Sequence, residues 1–277
     1  MDRNSILRTI ANEVRSGDIS FPTSVQVALK LQRALDDPDC HVDTATQLIR
    51  AEPLLSSKVV AMANSVAFNR SGREIADVRT AVSRLGFRTI RSLAAGVVTR
   101  QLAGDRSAAT SALAARLWEH TTHVAALARV IAARLTHQDP ETAMFAGIVH
   151  EVGGFYLISR AKDYPVLLDE RFSVEEDSGE AEVGRAVLAA LKVPDAVVEA
   201  IEVLWQGFLA IPPGTLGDTL LLAEELSPVA CPLSELAGQA PVCRAASIDM
   251  VIGADTLSEI LAESAVEVES LASALRV

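Results

Sequence analysis

The stretch LWEHTTHVAALARVIAARLTHQDPETAMFAGIVHEVGGFYLIS, residues 117–159, decides how this chain is read. Alanine, leucine and arginine, which cost little in a helix, fill its first part, and a long helix is expected from about Leu113 to Leu135. Pro140 suits the start of a following helix that leads into His150. His150 and Glu151 stand side by side, and His120 lies within the preceding helix. Such a grouping suggests a metal site, yet a centre that activates two hard cations needs several more imidazoles and carboxylates. The chain has only 5 histidines, and His41 and His137 fall in polar, turn-like segments. His123 lies near the same helix face as His120. A core-edge or surface position is expected for it, with a substitute-ligand role as the sharper alternative. The outline of a hydrolytic scaffold is present without its full set of donors.

Composition places that stretch in an all-α protein. The 277 residues can bury a substantial core, as one large domain or two lobes. Hydrophobic residues make up 49% and aromatics only 4%, and the β-branched and aromatic runs that mark strands are scarce. No window offers the roughly 18 uncharged apolar residues of a membrane span. The N-terminal MDRNSILRTIANEVRSGD is charged and amphipathic, without the apolar centre of a signal peptide, so a cytoplasmic protein is expected. Cys40, Cys231 and Cys243 show no C-x-x-C spacing and are expected as three reduced thiols.

Charge is unevenly spread around a net of -11. Residues 1–110 carry 15 Lys/Arg against 11 Asp/Glu, whereas the remainder carries 10 against 25. An acidic chain is a poor generic binder of nucleic acid, which requires clustered positive charge. The one basic stretch, Arg70, Arg73, Arg79, Arg84, Arg88, Arg91 and Arg100, is expected to be the solvated face of two helices. A docking surface for an acidic partner is the alternative.

Breaks in the apolar periodicity divide the chain into many short helices, an irregular multi-helix bundle. Asn4 and Gly17 bracket a first helix, Phe21-Pro22 interrupts, and a second helix ends at Asp36-Asp37-Pro38-Asp39. Asp43 is expected to cap a third, a fourth closes at Asn64-Ser65, and Asp77 opens a helix that Gly86 ends. The small, polar run GDRSAATSA, residues 104–112, offers a boundary between an N-terminal lobe of 1–110 and a second lobe of 111–277. Gly147 is expected as a close-packing point and Gly153-Gly154 as a loosened helix end. Residues 169–182, DERFSVEEDSGEAE, are expected as an acidic surface loop, followed by helices at about 180–191 and 195–206. The seam Leu257, Leu261, Ser264, Val268, Leu271 and Leu275 marks a last helix that packs on its own domain.

Three runs in the first half, FPTSVQVALKLQRALDDPD, LIRAEPLLSSKVVAMANS and IADVRTAVSRLGFRTIRSL, resemble the opening of the HDOD family. LWEHTTHVAALARVIA, ETAMFAGIVHEVGGFYLIS and EAEVGRAVLAALKVPDAVVEAI continue the resemblance, over roughly residues 20–230. HDOD modules are bacterial regulatory relatives of the HD phosphohydrolase superfamily. The resemblance implies two helical lobes, the second HD-like, and a role in signalling through protein–protein interaction without catalysis. In catalytic HD proteins an upstream histidine, a His-Asp doublet and a distant aspartate bind the metal. Here His120 resembles the upstream ligand, His150-Glu151 the doublet with a longer acid, and Glu224 in LLLAEEL the final aspartate, again longer. Related sequences often show histidines where this chain has Glu180, Leu204 and Trp205.

The resemblance therefore implies a degenerate metal set, His120, His150, Glu151 and Glu224, that is empty or holds a single weak divalent cation. No catalytic and no cofactor-binding residue is assigned. Signalling proteins are the expected partners, with a nucleotide as a further possible ligand and neither nucleic acid nor membrane. The rival expectation is a metal-dependent phosphohydrolase acting on a nucleotide or cyclic dinucleotide.

Overall fold

The computed structural model describes residues 2–16, 25–35, 37, 39–102, 108–169, 178–236 and 256–276, and every regular element among them is helical. The all-α expectation holds. The N-terminal part comprises α1 (Arg3–Arg15), α2 (Val25–Leu35), α3 (Val42–Arg50), α4 (Pro53–Asn64) and α5 (Val78–Leu102). Then come α6 (Ala108–Ile131), a π-helical turn (Ala132–Thr136), α7 (Pro140–Val149), α8 (Val152–Arg160) and a 3-10 turn (Pro165–Leu168). The chain continues with α9 (Gly179–Ala190), α10 (Asp195–Gln206), α11 (Leu216–Glu225), α12 (Pro232–Leu236) and α13 (Thr256–Arg276).

Local chemistry sets these boundaries. Asp2, rather than the expected Asn4, caps α1 by accepting the Ser5 amide. Backbone at His41 begins α3 without a side-chain cap. Asp43 instead sits in its first turn, where the dipole favours a carboxylate, and pairs with Arg79. Gly86, at φ 73° and ψ 165°, leaves the helical conformation and divides α5 into two helical segments, as expected, in a conformation that suits glycine. Thr215 and Asp218 form a reciprocal capping box at the start of α11.

One continuous apolar cluster runs from α1 to α13. Helix α6 lies in its middle, against α7, α11 and α13, while α5 packs on α2, α3, α4 and α7. Helix α1 lies on α9. Leu257, Ser264, Val268, Leu271 and Leu275 are buried, so the seam of α13 is met within the chain by α4 and α6. Lys58 of α4 is also fully buried; its ammonium donates to the Leu275 carbonyl at the end of α13 and lies 5.3 Å from the Trp118 ring centre. Residues Pro140–Arg160 form the one stretch, among the described residues, long and apolar enough to cross a membrane. That stretch is broken at His150-Glu151 into α7 and α8, and 78% of its apolar window is buried inside the fold.

Three glycines bring the site's helices close to their neighbours. A Cβ on Gly147 would lie 2.5 Å from the Ala125 Cα, so α7 sits directly on the backbone of α6. Gly153 and Gly154 do not end a helix, contrary to the expectation; both lie inside α8. A Cβ on Gly153 would lie 2.7 Å from the Gly184 Cα, and one on Gly154 would meet Leu233 and the Glu151 carboxylate. These glycines serve packing, and the helix break falls earlier, at the His-Glu doublet.

Most of the basic stretch is engaged locally. Arg79 pairs with Asp43, Arg84 donates to the Phe68 carbonyl, and Arg88 holds Asp139 and Thr142 at the start of α7. Arg91 and Arg100 donate to the Leu35 and Arg276 carbonyls. Arg70 and Arg73 are exposed. Most of the expected acidic loop, residues 170–177, and Cys243 lie outside the described residues.

Candidate metal centre

His120 projects from the middle of α6, His150 closes α7, Glu151 precedes α8, and Glu224 stands in the last turn of α11. Four separate segments therefore bring together the four residues singled out in the sequence. Each imidazole is fixed through its Nδ1, His120 against the Val229 carbonyl at 2.7 Å and His150 against the Gly147 carbonyl at 2.8 Å. A carbonyl partner assigns the proton to Nδ1 and turns Nε2 toward the centre, the arrangement that orients metal-binding histidines.

Three atoms then form a small triangle. The His120 Nε2 lies 3.1 Å from the Glu224 Oε2, and the His150 Nε2 lies 3.4 Å from that same oxygen. The two Nε2 atoms are 3.4 Å apart. A tetrahedral ion with bonds of about 2.0–2.1 Å requires ligand atoms about 3.4 Å apart, so the triangle is already spaced for one cation. Glu151 reaches its edge, with its Oε1 3.9 Å from the His150 Nε2.

Burial and charge set the protonation of this group. The two imidazole side chains are 1% exposed and the Glu224 side chain 23%. Burial disfavours a charged His120, but the Glu224 carboxylate, aided by Glu151 and the Val229 carbonyl, outweighs it and pushes the imidazole up to about 9. Burial also works against the Glu224 charge, and His120 with His150 overcomes it, holding the carboxyl well below the usual carboxylate range. Without a metal, a proton on His120 does the neutralising.

One residue of the site escaped the sequence reading. The Cys231 Sγ, buried just before α12, lies 3.1 Å from the Glu151 Oε1. His120, Glu151 and Cys231 each place a ligand atom within 4.8 Å of the others, a second triad that shares His120 with the first. Burial, then repulsion from Glu151 and Glu224, pushes the Cys231 thiol well above its ordinary range. The signal was present: Cys231 follows Glu224 in the loop whose Val229 carbonyl binds His120. His123 is buried but belongs to neither triad, and burial, with Arg276 nearby, keeps its pKa low.

The positions where related sequences often carry further histidines are occupied differently. Glu180 is buried and pairs with the Arg3 guanidinium at 2.5 Å, and Arg3 also donates to the Val166 and Leu167 carbonyls. Trp205 packs over Gly184 and beneath the Arg185 guanidinium, 5.2 Å from the ring centre. Leu204 packs against the apolar cluster. Neither Leu204 nor Trp205 carries an atom that binds a cation.

Solved structures share this architecture. A candidate metal-dependent phosphohydrolase from Shewanella amazonensis SB2B matches with a TM-score of 0.73 at 20% identity, covering 98% of each chain. An HDOD domain protein of unknown function from Geobacter sulfurreducens matches at a TM-score of 0.61 and 21% identity, over 99% of this chain and 98% of that one. A candidate signal transduction protein from Marinobacter aquaeolei VT8 gives a TM-score of 0.56 at 17% identity, with 99% of this chain covering 66% of that one. No curated protein matches the sequence. At these identities the likeness is one of fold. The family itself is read from the sequence: the HDOD domain model matches residues 21–206, most of the chain, and this protein belongs to the HDOD family.

Proposed function

We propose that this protein is a non-catalytic regulatory module of a bacterial signalling circuit, working in the cytoplasm by protein–protein recognition. The donor set supports this reading most directly. His120, His150, Glu151 and Glu224 fit one divalent cation, and Glu180, which stands where a further ligand would be sought, is already neutralised by Arg3. A bound cation would supply Lewis acidity there. Catalysis by two cations asks for donors on both sides of the reacting group, and the donor groups among the described residues are two triads that share His120. The residues instead serve order: two imidazoles and a carboxylate lock α6, α7 and α11 to one another.

The rival is a metal-dependent phosphohydrolase acting on a nucleotide or cyclic dinucleotide, favoured by the ready spacing of the His120–His150–Glu224 triangle. Turnover assays with nucleotides and cyclic dinucleotides, run with added Mn, Fe or Zn, separate the two. The regulatory reading expects no hydrolysis above the metal-only blank; hydrolysis that disappears with His150→Ala would establish the rival. Partner capture from the native host tests the recognition half. Arg70→Glu with Arg73→Glu is the suitable variant, since Arg79, Arg84 and Arg88 already contact groups within the chain. Loss of a partner bound by the parent protein supports recognition through this face, and an unchanged set of partners removes it.

A further inference from the structure

We propose that Cys231 is a metal ligand, and that with His120 and Glu151 it makes this centre selective for a thiophilic cation of the zinc class. This rests on the reading that the site accommodates one cation.

Three observations carry the assignment. The Cys231 Sγ is not a surface thiol: it is buried and lies 3.1 Å from a carboxylate oxygen of the site. Its triad overlaps the His120–His150–Glu224 triangle at His120, so a cation between the two meets nitrogen, oxygen and sulfur donors together. Packing also fixes the approach. Gly154 lies against the Leu233 side chain of α12 and against the Glu151 carboxylate, so the start of α12, which Cys231 precedes, sits beside the centre.

Sulfur changes which metals the pocket prefers. Carboxylates and imidazoles alone accept magnesium, manganese, iron or zinc, whereas a thiolate favours zinc and its chemical relatives over hard cations. Burial beside two carboxylates keeps the free thiol protonated. Binding therefore breaks the S–H bond: the electron pair stays on sulfur as the new metal bond forms, and the proton passes to Glu151 and out to solvent. A thiol that donates to Glu151 in the free protein is held ready for that exchange.

Cobalt(II) provides the test because thiolate ligation gives a near-ultraviolet charge-transfer band that nitrogen and oxygen ligands do not. The chelator-treated protein, carrying Cys40→Ser and Cys243→Ser so that Cys231 is its sole thiol, is titrated with cobalt(II). We expect a charge-transfer band that saturates together with the visible ligand-field bands. Cobalt binding should release a proton, and zinc should displace the cobalt without releasing another. Cys231→Ser should abolish the charge-transfer band, leave the ligand-field bands, and weaken zinc about 10- to 100-fold while leaving manganese nearly unchanged. Ligand-field bands without charge transfer in the Cys231-only protein would overturn the assignment of sulfur but leave the one-cation reading standing. Absence of any bound cobalt or zinc would overturn both. Since the decisive spectrum needs only the protein with Cys231 intact, misfolding of the serine variant would not protect the proposal.

Discussion

Replacing Glu224 with glutamine tests whether a charged His120 neutralises the metal-free site. The substitution keeps the shape of the side chain and removes its charge, 3.1 Å from the His120 Nε2 and 3.4 Å from the His150 Nε2. The folded protein raises His120 from 6.5 to about 9, worth ~3 kcal/mol at 1.36 kcal/mol per unit. The depressed Glu224 pKa reports the same ion pair from its other end, so the energy is counted once. A histidine raised in this way contributes stability that is fully present below 6.5 and lost as the pH rises through about 9. Lys58 runs the other way: burial, with Arg100 close by, pushes it from 10.5 down to about 7, so stability recovers across that interval. The readout is therefore the difference between parent and variant, obtained from denaturant unfolding of chelator-treated protein from about pH 6 to about pH 10. Glu224→Gln should be less stable by ~3 kcal/mol at the acidic end, and the gap should close as the pH passes 9. A difference that stays constant across the range would refute the assignment of the proton to His120.

Other expectations follow from the packing. Gly147→Ala must displace α7 from the Ala125 backbone and should cost about 1–3 kcal/mol or more, seen as a lowered melting temperature. Ala125→Gly should not rescue it, because the clash is with backbone atoms. Arg3→Met leaves the buried Glu180 without its guanidinium and should cost about 3–5 kcal/mol, whereas adding Glu180→Leu should recover most of the loss. If the single variant is as stable as the parent in denaturant titration, the Arg3–Glu180 pair does not hold α1 on α9.

Much of the fold could be read in the sequence because helix punctuation is local. Pro140 opens α7, and Val193-Pro194 separates α9 from α10 near the expected place. The four donors His120, His150, Glu151 and Glu224 came from the family resemblance, and the structure brings them together. What the sequence hid depends on contacts between distant segments. The Cys231–Glu151 contact joins residues far apart in the chain, and no ligand spacing announces it. Arg3 looked like one more charge on an amphipathic helix until α9 placed Glu180 against it. Gly153-Gly154 could be flagged as special from type alone, but the meeting with Gly184 and Leu233 that explains them is tertiary.

The number of cations this pocket holds decides the account most directly. Protein produced without an affinity tag, stripped by chelator and equilibrated with zinc or manganese, should carry one ion per chain at saturation when analysed by mass spectrometry. His150→Ala, which removes one donor of the His120–His150–Glu224 triangle, should weaken the hold on that ion. Two tightly held ions per chain, both lost with His150→Ala, would show that donors beyond His120, His150, Glu151, Glu224 and Cys231 complete a hydrolytic pair.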